Sequence, residues 1–201
     1  MSKLFNPFQY IAGLKSMLAG IVVLLLTAIT GYFSHTHFPD ILSVKLCPEF
    51  PLWYFVIQVF TNWLVISVLL YLAALIFSPS SVRAVDIFGT QALARFPYLL
   101  AAFTGFFGAM HKFGRYILYT RFHQGDPVDL TSADVILAIS LMIISLLLSI
   151  WMIILMYNAF SVSSNLKGRK AVLIFIPVFI AAMVITIYFS RYYLSLVAQW
   201  V

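Results

Sequence analysis

Apolar residues fall into five long, nearly uncharged runs, separated by shorter polar segments. The runs cover residues 17–33, 53–77, 93–110, 135–157 and 171–189, with boundaries good to a few positions. Each run is close to the roughly 20 residues that a helix needs to cross a hydrocarbon core about 30 Å thick. The pattern therefore predicts an all-α, polytopic membrane protein that is a bundle of five transmembrane helices.

The runs are continuously apolar rather than alternating. A membrane-spanning strand alternates apolar and polar positions over about ten residues, whereas Ile143–Leu155 is apolar apart from two serines. Because backbone N–H and C=O groups inside lipid must be bonded within the chain, helices are the structure that this pattern favours. We find no repeat and no linker, so residues 1–201 are predicted to form a single domain.

The segments between the runs carry local signals for helix ends. Thr131 and Asp134 have the spacing of a capping box, which predicts the start of the fourth span, and Gly168 is typical of a helix stop. Before the first span, Leu4, Phe8 and Ile11 follow helical spacing. This segment is predicted to form either a short interfacial helix on the membrane or an ordinary lead-in to the first span.

Composition agrees with a lipid environment. Hydrophobic residues make up 63% of the chain and charged residues 9%, against about 45–50% and about 25% in soluble domains. A soluble fold could not bury this much apolar surface. The single cysteine, Cys47, excludes an intrachain disulfide.

The distribution of charge predicts the orientation. With the N-terminus in the cytoplasm, the inner segments carry seven Lys or Arg and one acid, and the outer segments carry five of each. Since Lys and Arg favour cytoplasmic loops, we expect the N-terminus to lie inside and the C-terminus outside. The formal charge of +6 then lies on the inner face and would attract anionic lipid headgroups. The bases are scattered, so nucleic-acid binding is not expected.

Polar side chains within the second span admit two interpretations. Gln58 and Asn62 lie four residues apart and share a helix face. They either form hydrogen bonds to a neighbouring helix or line a path for a solute. No ionisable residue is predicted near the middle of a span, because Arg95 is expected to reach the cytosolic surface from its end of the third helix.

Small residues recur every four positions in the third span, at Ala101, Gly105 and Ala109. This spacing lets two helices approach closely. It predicts helix packing, either within the chain or across a homodimer. Pro97 and Pro177 are expected to kink their helices.

The chain has no motif that carries chemistry. His35, His37 and Asp40 are too few donors at unsuitable spacing for a zinc site. No nucleophile–base pattern or metalloprotease helix is present. We therefore expect no enzyme activity, no metal and no cofactor.

Two stretches resemble the bacterial Yip-domain family, five-span membrane proteins related to Ypt/Rab-interacting proteins. One stretch covers residues 83–100 and the other residues 157–171. The matching positions are Asp86, Gly89, Arg95, Pro97, Tyr157, Asn158, Lys167, Gly168 and Lys170. The resemblance implies a five-helix bundle in the bacterial cytoplasmic membrane. Eukaryotic members are linked to Rab-type GTPases, but this chain lacks their long hydrophilic N-terminal region, so a GTPase partner is not expected.

Together these observations predict a non-catalytic membrane scaffold or partner-binding protein. The alternative is a small transporter or channel with a polar path near Gln58 and Asn62.

Overall fold

The computed structural model describes residues 5–197, and its secondary structure is almost entirely helical. The α-helices are α1 (Gly13–Ser34), α2 (Leu52–Phe77), α3 (Ala84–Leu93), α4 (Phe96–Ala102), α5 (Gly108–Phe122), α6 (Ser132–Ser163) and α7 (Gly168–Val197). Short 3-10 turns lie at Pro7–Gln9 and Phe103–Phe106. A two-stranded antiparallel ribbon pairs β1 (Thr36–His37) with β2 (Lys45–Leu46).

The predicted all-α membrane fold is confirmed. Helices α1, α2, α6 and α7 are each long and apolar enough to cross a membrane. A fifth candidate is a broken span, in which Ala84–Phe106 is followed by Gly108–Phe122 at an angle of 75°. The long apolar helices indicate an integral membrane protein.

The third predicted span needs correction, because residues 93–110 do not form one helix. Helix α3 ends at Leu93, and α4 begins with Pro97 in its first turn. Proline has no N–H to donate to the carbonyl four residues earlier, so the ladder of helical hydrogen bonds is interrupted here. A second break follows at Phe107, whose backbone is extended. Pro177, in contrast, lies inside the continuous helix α7.

The segment from α3 to Phe106 runs beside α1 in the same direction. A Cβ on Gly89 would lie 2.6 Å from the Ser16 hydroxyl, one on Gly20 would meet Ala92, and one on Gly105 would meet Ser34. These contacts follow the same order along both segments, so the two are parallel. Both segments are about 30–35 Å long at 1.5 Å per helical residue.

The bundle has two ends, which we name by one element each. The Ser78 end holds the α2–α3 and α6–α7 connections, where the Ser78 hydroxyl donates to the Ser164 carbonyl over 2.7 Å. The α5 end holds residues 35–51, α5 and residues 123–131. The spans alternate in direction between these ends.

The interior is packed from α1, α2, α3 and α6. Leu24, Ile66, Leu70, Ile87 and Met156 have no exposed surface. The outside is also apolar, and the most exposed side chains of the long helices include Ile136, Leu146, Leu147, Leu173, Ile76 and Ile180. An apolar exterior around an apolar core is the arrangement that a bilayer solvates and water does not.

The predicted local signals have mixed outcomes. The capping box is confirmed, because the Thr131 hydroxyl accepts from the Asp134 N–H while the Asp134 carboxylate accepts from the Thr131 N–H. The helix stop at Gly168 is wrong. Asn165 is the left-handed residue that follows α6, with φ of 53°, and Gly168 begins α7.

The N-terminal segment does not lie free on a surface. Phe8 sits in the Pro7–Gln9 turn and is 1% exposed within the core. Leu4, which the predicted interfacial helix included, lies outside the described residues. The described part is a lead-in to α1 that is tied to α6, because the Asn158 amide donates to the Phe5 carbonyl over 2.8 Å.

Candidate functional site: a polar cluster inside the bundle

The first connection, between α1 and α2, folds back into the bundle instead of lying on its surface. Phe38 is 1% exposed, Asp40 5% and Ile41 0%. The local sequence Phe38–Leu42 explains this, since it is apolar apart from Pro39 and Asp40. Burying such a segment is favourable only if its backbone groups find partners. Those partners come from α2 and α4.

Gln58 supplies the first set of partners. Its side-chain carbonyl accepts from the Phe38 N–H over 2.9 Å. Its amide group donates to the Tyr54 hydroxyl and to the Ser190 hydroxyl of α7, both at 3.2 Å. Gln58 thus joins the inserted loop, α2 and α7.

Asn62, one turn further along α2, supplies the second set. Its amide group donates to the Phe38 carbonyl over 2.7 Å and to the Asp40 carbonyl over 3.0 Å. Gln58 and Asn62 are 1% and 2% exposed. The helix face predicted from their spacing exists, and it holds the loop.

Arg95 lies in the same cluster, which corrects the expected position of this residue. Its side chain is 2% exposed and does not reach either surface. Its Nη2 donates to the backbone carbonyl of Asn62 over 2.8 Å, whereas its Nε is buried without a hydrogen-bond partner. Because Arg95 lies between α3 and α4, halfway along Ala84–Phe106, an ionisable residue does occur near the middle of a span.

Asp40, in the inserted loop, is the acidic residue of the same cluster as Arg95. Its Oδ1 accepts from the Leu42 and Ser43 N–H groups at 2.7 and 2.8 Å. No salt bridge joins Asp40 to Arg95 within the described residues. The two opposite charges belong to the same buried cluster and attract each other through space.

Tyr98 completes the cluster from α4. Its hydroxyl donates to the Ile41 carbonyl, and its ring stacks on Phe38 with centroids 4.7 Å apart. The helix break at Arg95 therefore places two polar side chains, Arg95 and Tyr98, against the inserted loop. We call Asp40, Gln58, Asn62, Arg95 and Tyr98 the buried polar cluster.

His37 stands at the edge of this cluster, in β1. Its Nδ1 lies 3.0 Å from the Tyr54 hydroxyl. Burial and the nearby Lys45 charge lower the pKa of His37 to about 4, against an opposing effect of Asp40. His37 is therefore neutral at physiological pH and accepts or donates as an uncharged ring.

The three predicted packing residues are not on one helix face. Ala101 lies in α4, Gly105 in the 3-10 turn and Ala109 in α5, beyond the break at Phe107. Gly105 packs within the chain, because a Cβ there would overlap the Thr36 hydroxyl and the Ser34 carbonyl. The close approach thus joins the broken span to the end of α1.

The positions that carry the family resemblance lie mostly at the Ser78 end. Asp86 pairs with Arg83 at 2.8 Å, and Gly89 contacts α1. Lys170 donates to the Phe77 carbonyl over 3.0 Å, while Lys167 is exposed. Tyr157 packs its ring edge-on to Phe175. Only Arg95 and Pro97 belong near the buried polar cluster.

Residues considered for a metal site do not converge. Within residues 5–197, no group of three or more His, Cys, Asp or Glu side chains could hold an ion. His35 instead has its ring near His111, with centroids 6.1 Å apart, and His37 contacts Tyr54.

Sequence reasoning found Gln58 and Asn62 but missed Asp40 and Tyr98 as members of the cluster. A signal was present, since the stretch Phe38–Leu42 is too apolar for a water-exposed loop.

Comparisons with protein-family models, curated proteins and solved structures found no match to the chain.

Proposed function

We propose that this chain is a multi-pass membrane protein with a non-catalytic scaffold or partner-binding role, of the kind found in the bacterial Yip-domain family. The observation that carries the proposal is the use of the Gln58 and Asn62 amides. Each amide nitrogen donates two hydrogen bonds to groups of the same chain, and the Gln58 side-chain oxygen accepts one from it. A lining residue of a solute path would instead keep polar groups available to the solute.

The same proposal places the chain in the bacterial cytoplasmic membrane with the Ser78 end inside. Lys15, Arg83, Lys167, Arg169 and Lys170 lie towards that end, and Asp86 is the acid there. Arg95 is buried and so does not add to the charge of this surface. Basic residues still outnumber acidic residues there. Anionic headgroups of the inner leaflet are the proposed partners of this surface, together with other membrane proteins or a second copy of the chain.

A transporter or channel is the second candidate, favoured by one observation. Arg95 is a buried cation at a helix break and has an Nε without a partner. Ionisable residues within spans often mark solute paths, and broken helices form the binding sites of many transporters. A buried cation would select an anion, so chloride is the probe for this candidate.

One reconstitution experiment separates the two candidates. Proteoliposomes loaded with a chloride-sensitive dye are prepared with the native chain, Asn62→Leu and Arg95→Met. The scaffold proposal expects no chloride flux above empty liposomes for any of them, and a lower unfolding temperature for Asn62→Leu. Ser140→Ala is the matched control, since Ser140 is exposed and bonds only to the Ile136 carbonyl of its own helix.

Chloride flux that disappears in Arg95→Met, while the protein stays folded, would overturn the scaffold proposal in favour of transport. Cross-linking in native membranes followed by mass spectrometry tests whether the chain binds a partner. We expect a reproducible protein neighbour or a second copy, and recovery of the monomer alone would contradict the proposed role.

A further inference from the structure

Helix α5 differs from the other long helices in direction, exposure and composition. It leaves the preceding segment at 75°, and that segment runs parallel to α1. From Arg115 to Phe122 every residue is exposed. A helix nearly perpendicular to the spans, at one end of the bundle, lies close to the plane of a membrane surface.

The level of α5 is set by an ion pair. Lys112 donates to the Asp134 carboxylate over 3.0 Å, and Asp134 belongs to the capping box at the start of α6. The apolar part of α6 begins directly after Asp134. Helix α5 therefore lies at the height where the apolar surface of α6 ends, which is the boundary between acyl chains and headgroups.

The exposed half of α5 has the composition of that boundary. Tyr116, Ile117, Leu118, Tyr119 and Phe122 are 38–64% exposed. Tyrosine is enriched at membrane interfaces because its ring is apolar and its hydroxyl is polar. Such a set of exposed apolar side chains is unfavourable in water and favourable at the top of the acyl region.

Two arginines on the same half, Arg115 and Arg121, extend from the exposed surface of α5. Arg115 and Arg121 form no ion pair and no hydrogen bond among the described residues. Arg115 lines a cavity of about 290 Å³ with Leu118 and Gln124, and Asp126 borders the same cavity. A guanidinium binds phosphate oxygens through paired N–H groups, and every phospholipid supplies a phosphate at this level.

We propose that α5 is an interfacial helix that binds the phospholipid headgroup region of the leaflet at the α5 end. Its tyrosines and Ile117 lie at the acyl boundary, and Arg115 and Arg121 bind lipid phosphates. The proposal rests on membrane insertion of the chain and is independent of the scaffold role.

Depth-dependent fluorescence quenching tests the position of α5. Ile117→Cys is made in a Cys47→Ala background, labelled with a fluorophore and placed in phosphatidylcholine nanodiscs that carry a quencher on the headgroup or deep in the acyl chain. We expect the label about 5–10 Å into the headgroup–acyl boundary and stronger quenching by the headgroup quencher. Ile143→Cys in α6 is the deep control. Asp129→Cys is the aqueous control, because Asp129 is exposed and does not border the Arg115 cavity.

A label at Ile117 that responds like the Asp129 control, to aqueous iodide and not to lipid quenchers, would overturn the proposal. Protection from both quenchers together with cross-linking between chains would also overturn it, because a second copy would then cover α5.

Charge reversal tests the arginines separately. Arg115→Glu with Arg121→Glu is expected to move the Ile117 label towards water, seen as greater iodide quenching. Lys167→Glu with Arg169→Glu, at the Ser78 end, is expected to leave the label unchanged. If both pairs leave quenching unchanged, the arginine–phosphate contacts are excluded.

Discussion

The Arg95 guanidinium donates through Nη2 to the backbone carbonyl of Asn62, 2.8 Å away, inside the helical bundle. Asn62 in turn donates to the Phe38 and Asp40 carbonyls of the inserted loop. A single polar path therefore joins the broken span, α2 and the first connection. This arrangement explains why Gln58, Asn62 and Arg95 occur in otherwise apolar segments.

The charge of Arg95 is expected to compensate that of Asp40. Arg95→Met should lower the free energy of unfolding by about 1–3 kcal/mol, because it removes the buried hydrogen bond to the Asn62 backbone carbonyl and the positive charge that faces Asp40 through space. The double variant Arg95→Met with Asp40→Asn should recover part of this loss. Thermal or denaturant unfolding in detergent measures both. Strictly additive effects in the cycle would show that the two residues are not coupled.

Gly105 is expected to tolerate no side chain. Gly105→Ala places a methyl group against the Thr36 hydroxyl and the Ser34 carbonyl, and overpacking of this kind costs about 1–3 kcal/mol. The unfolding temperature should fall without a change in oligomeric state, as judged by gel filtration in detergent. Gly108→Ala is the matched control, since nothing lies within 4 Å of a Cβ at Gly108. Equal stability of the two variants would contradict the packing described here.

The stability of the folded chain should depend on His37 in acid. Its pKa is lowered from 6.5 to about 4 in the folded state, so between these values the unfolded chain binds a proton that the folded chain does not. The His37 contribution to the free energy of unfolding is complete above about pH 6.5 and decreases as the pH falls towards 4, with a total of about 3 kcal/mol. Unfolding of the native chain and His37→Gln, compared across this range, measures it. An identical pH dependence of the two proteins would contradict the prediction.

Cys47 should react slowly with thiol reagents. Burial raises its pKa to about 12, and its Sγ lies 3.4 Å from the His35 carbonyl. Because the thiolate is the reactive form, maleimide labelling at pH 7 should be much slower than that of an exposed cysteine introduced by Asp126→Cys. The two rates should become equal after denaturation. Fast labelling of Cys47 in the folded protein would show that the first connection opens.

Local pattern predicted the long helices well. The second apolar run, residues 53–77, differs by one residue from α2 (Leu52–Phe77), and the capping box marks the start of α6. Both features depend only on neighbouring residues, through hydropathy and through hydrogen bonds within one helical turn. Pro97 marks the break near Arg95. The break at Phe107 is not visible in the pattern, because an apolar run remains apolar whether or not its helix is interrupted.

The buried polar cluster could be predicted only in part. The spacing of Gln58 and Asn62 places them on one helix face, but their partners Phe38 and Asp40 are 20 and 22 residues away. Arg95 shows the same difficulty, since a long basic side chain near a span end usually extends to the surface. Its burial depends on the inserted loop, which the sequence marks only by its apolar residues.

The amino-acid sequence by itself determined that this protein is surrounded by lipid and that its secondary structure is helical. Long uncharged segments require lipid around them, and lipid requires helices, because unbonded backbone groups are too costly there. Tertiary structure alone decided which polar groups meet, that the third span breaks a second time at Phe107 and that α5 turns away from it. Those features depend on contacts between residues distant in the chain, whose free energies become available only when the helices pack.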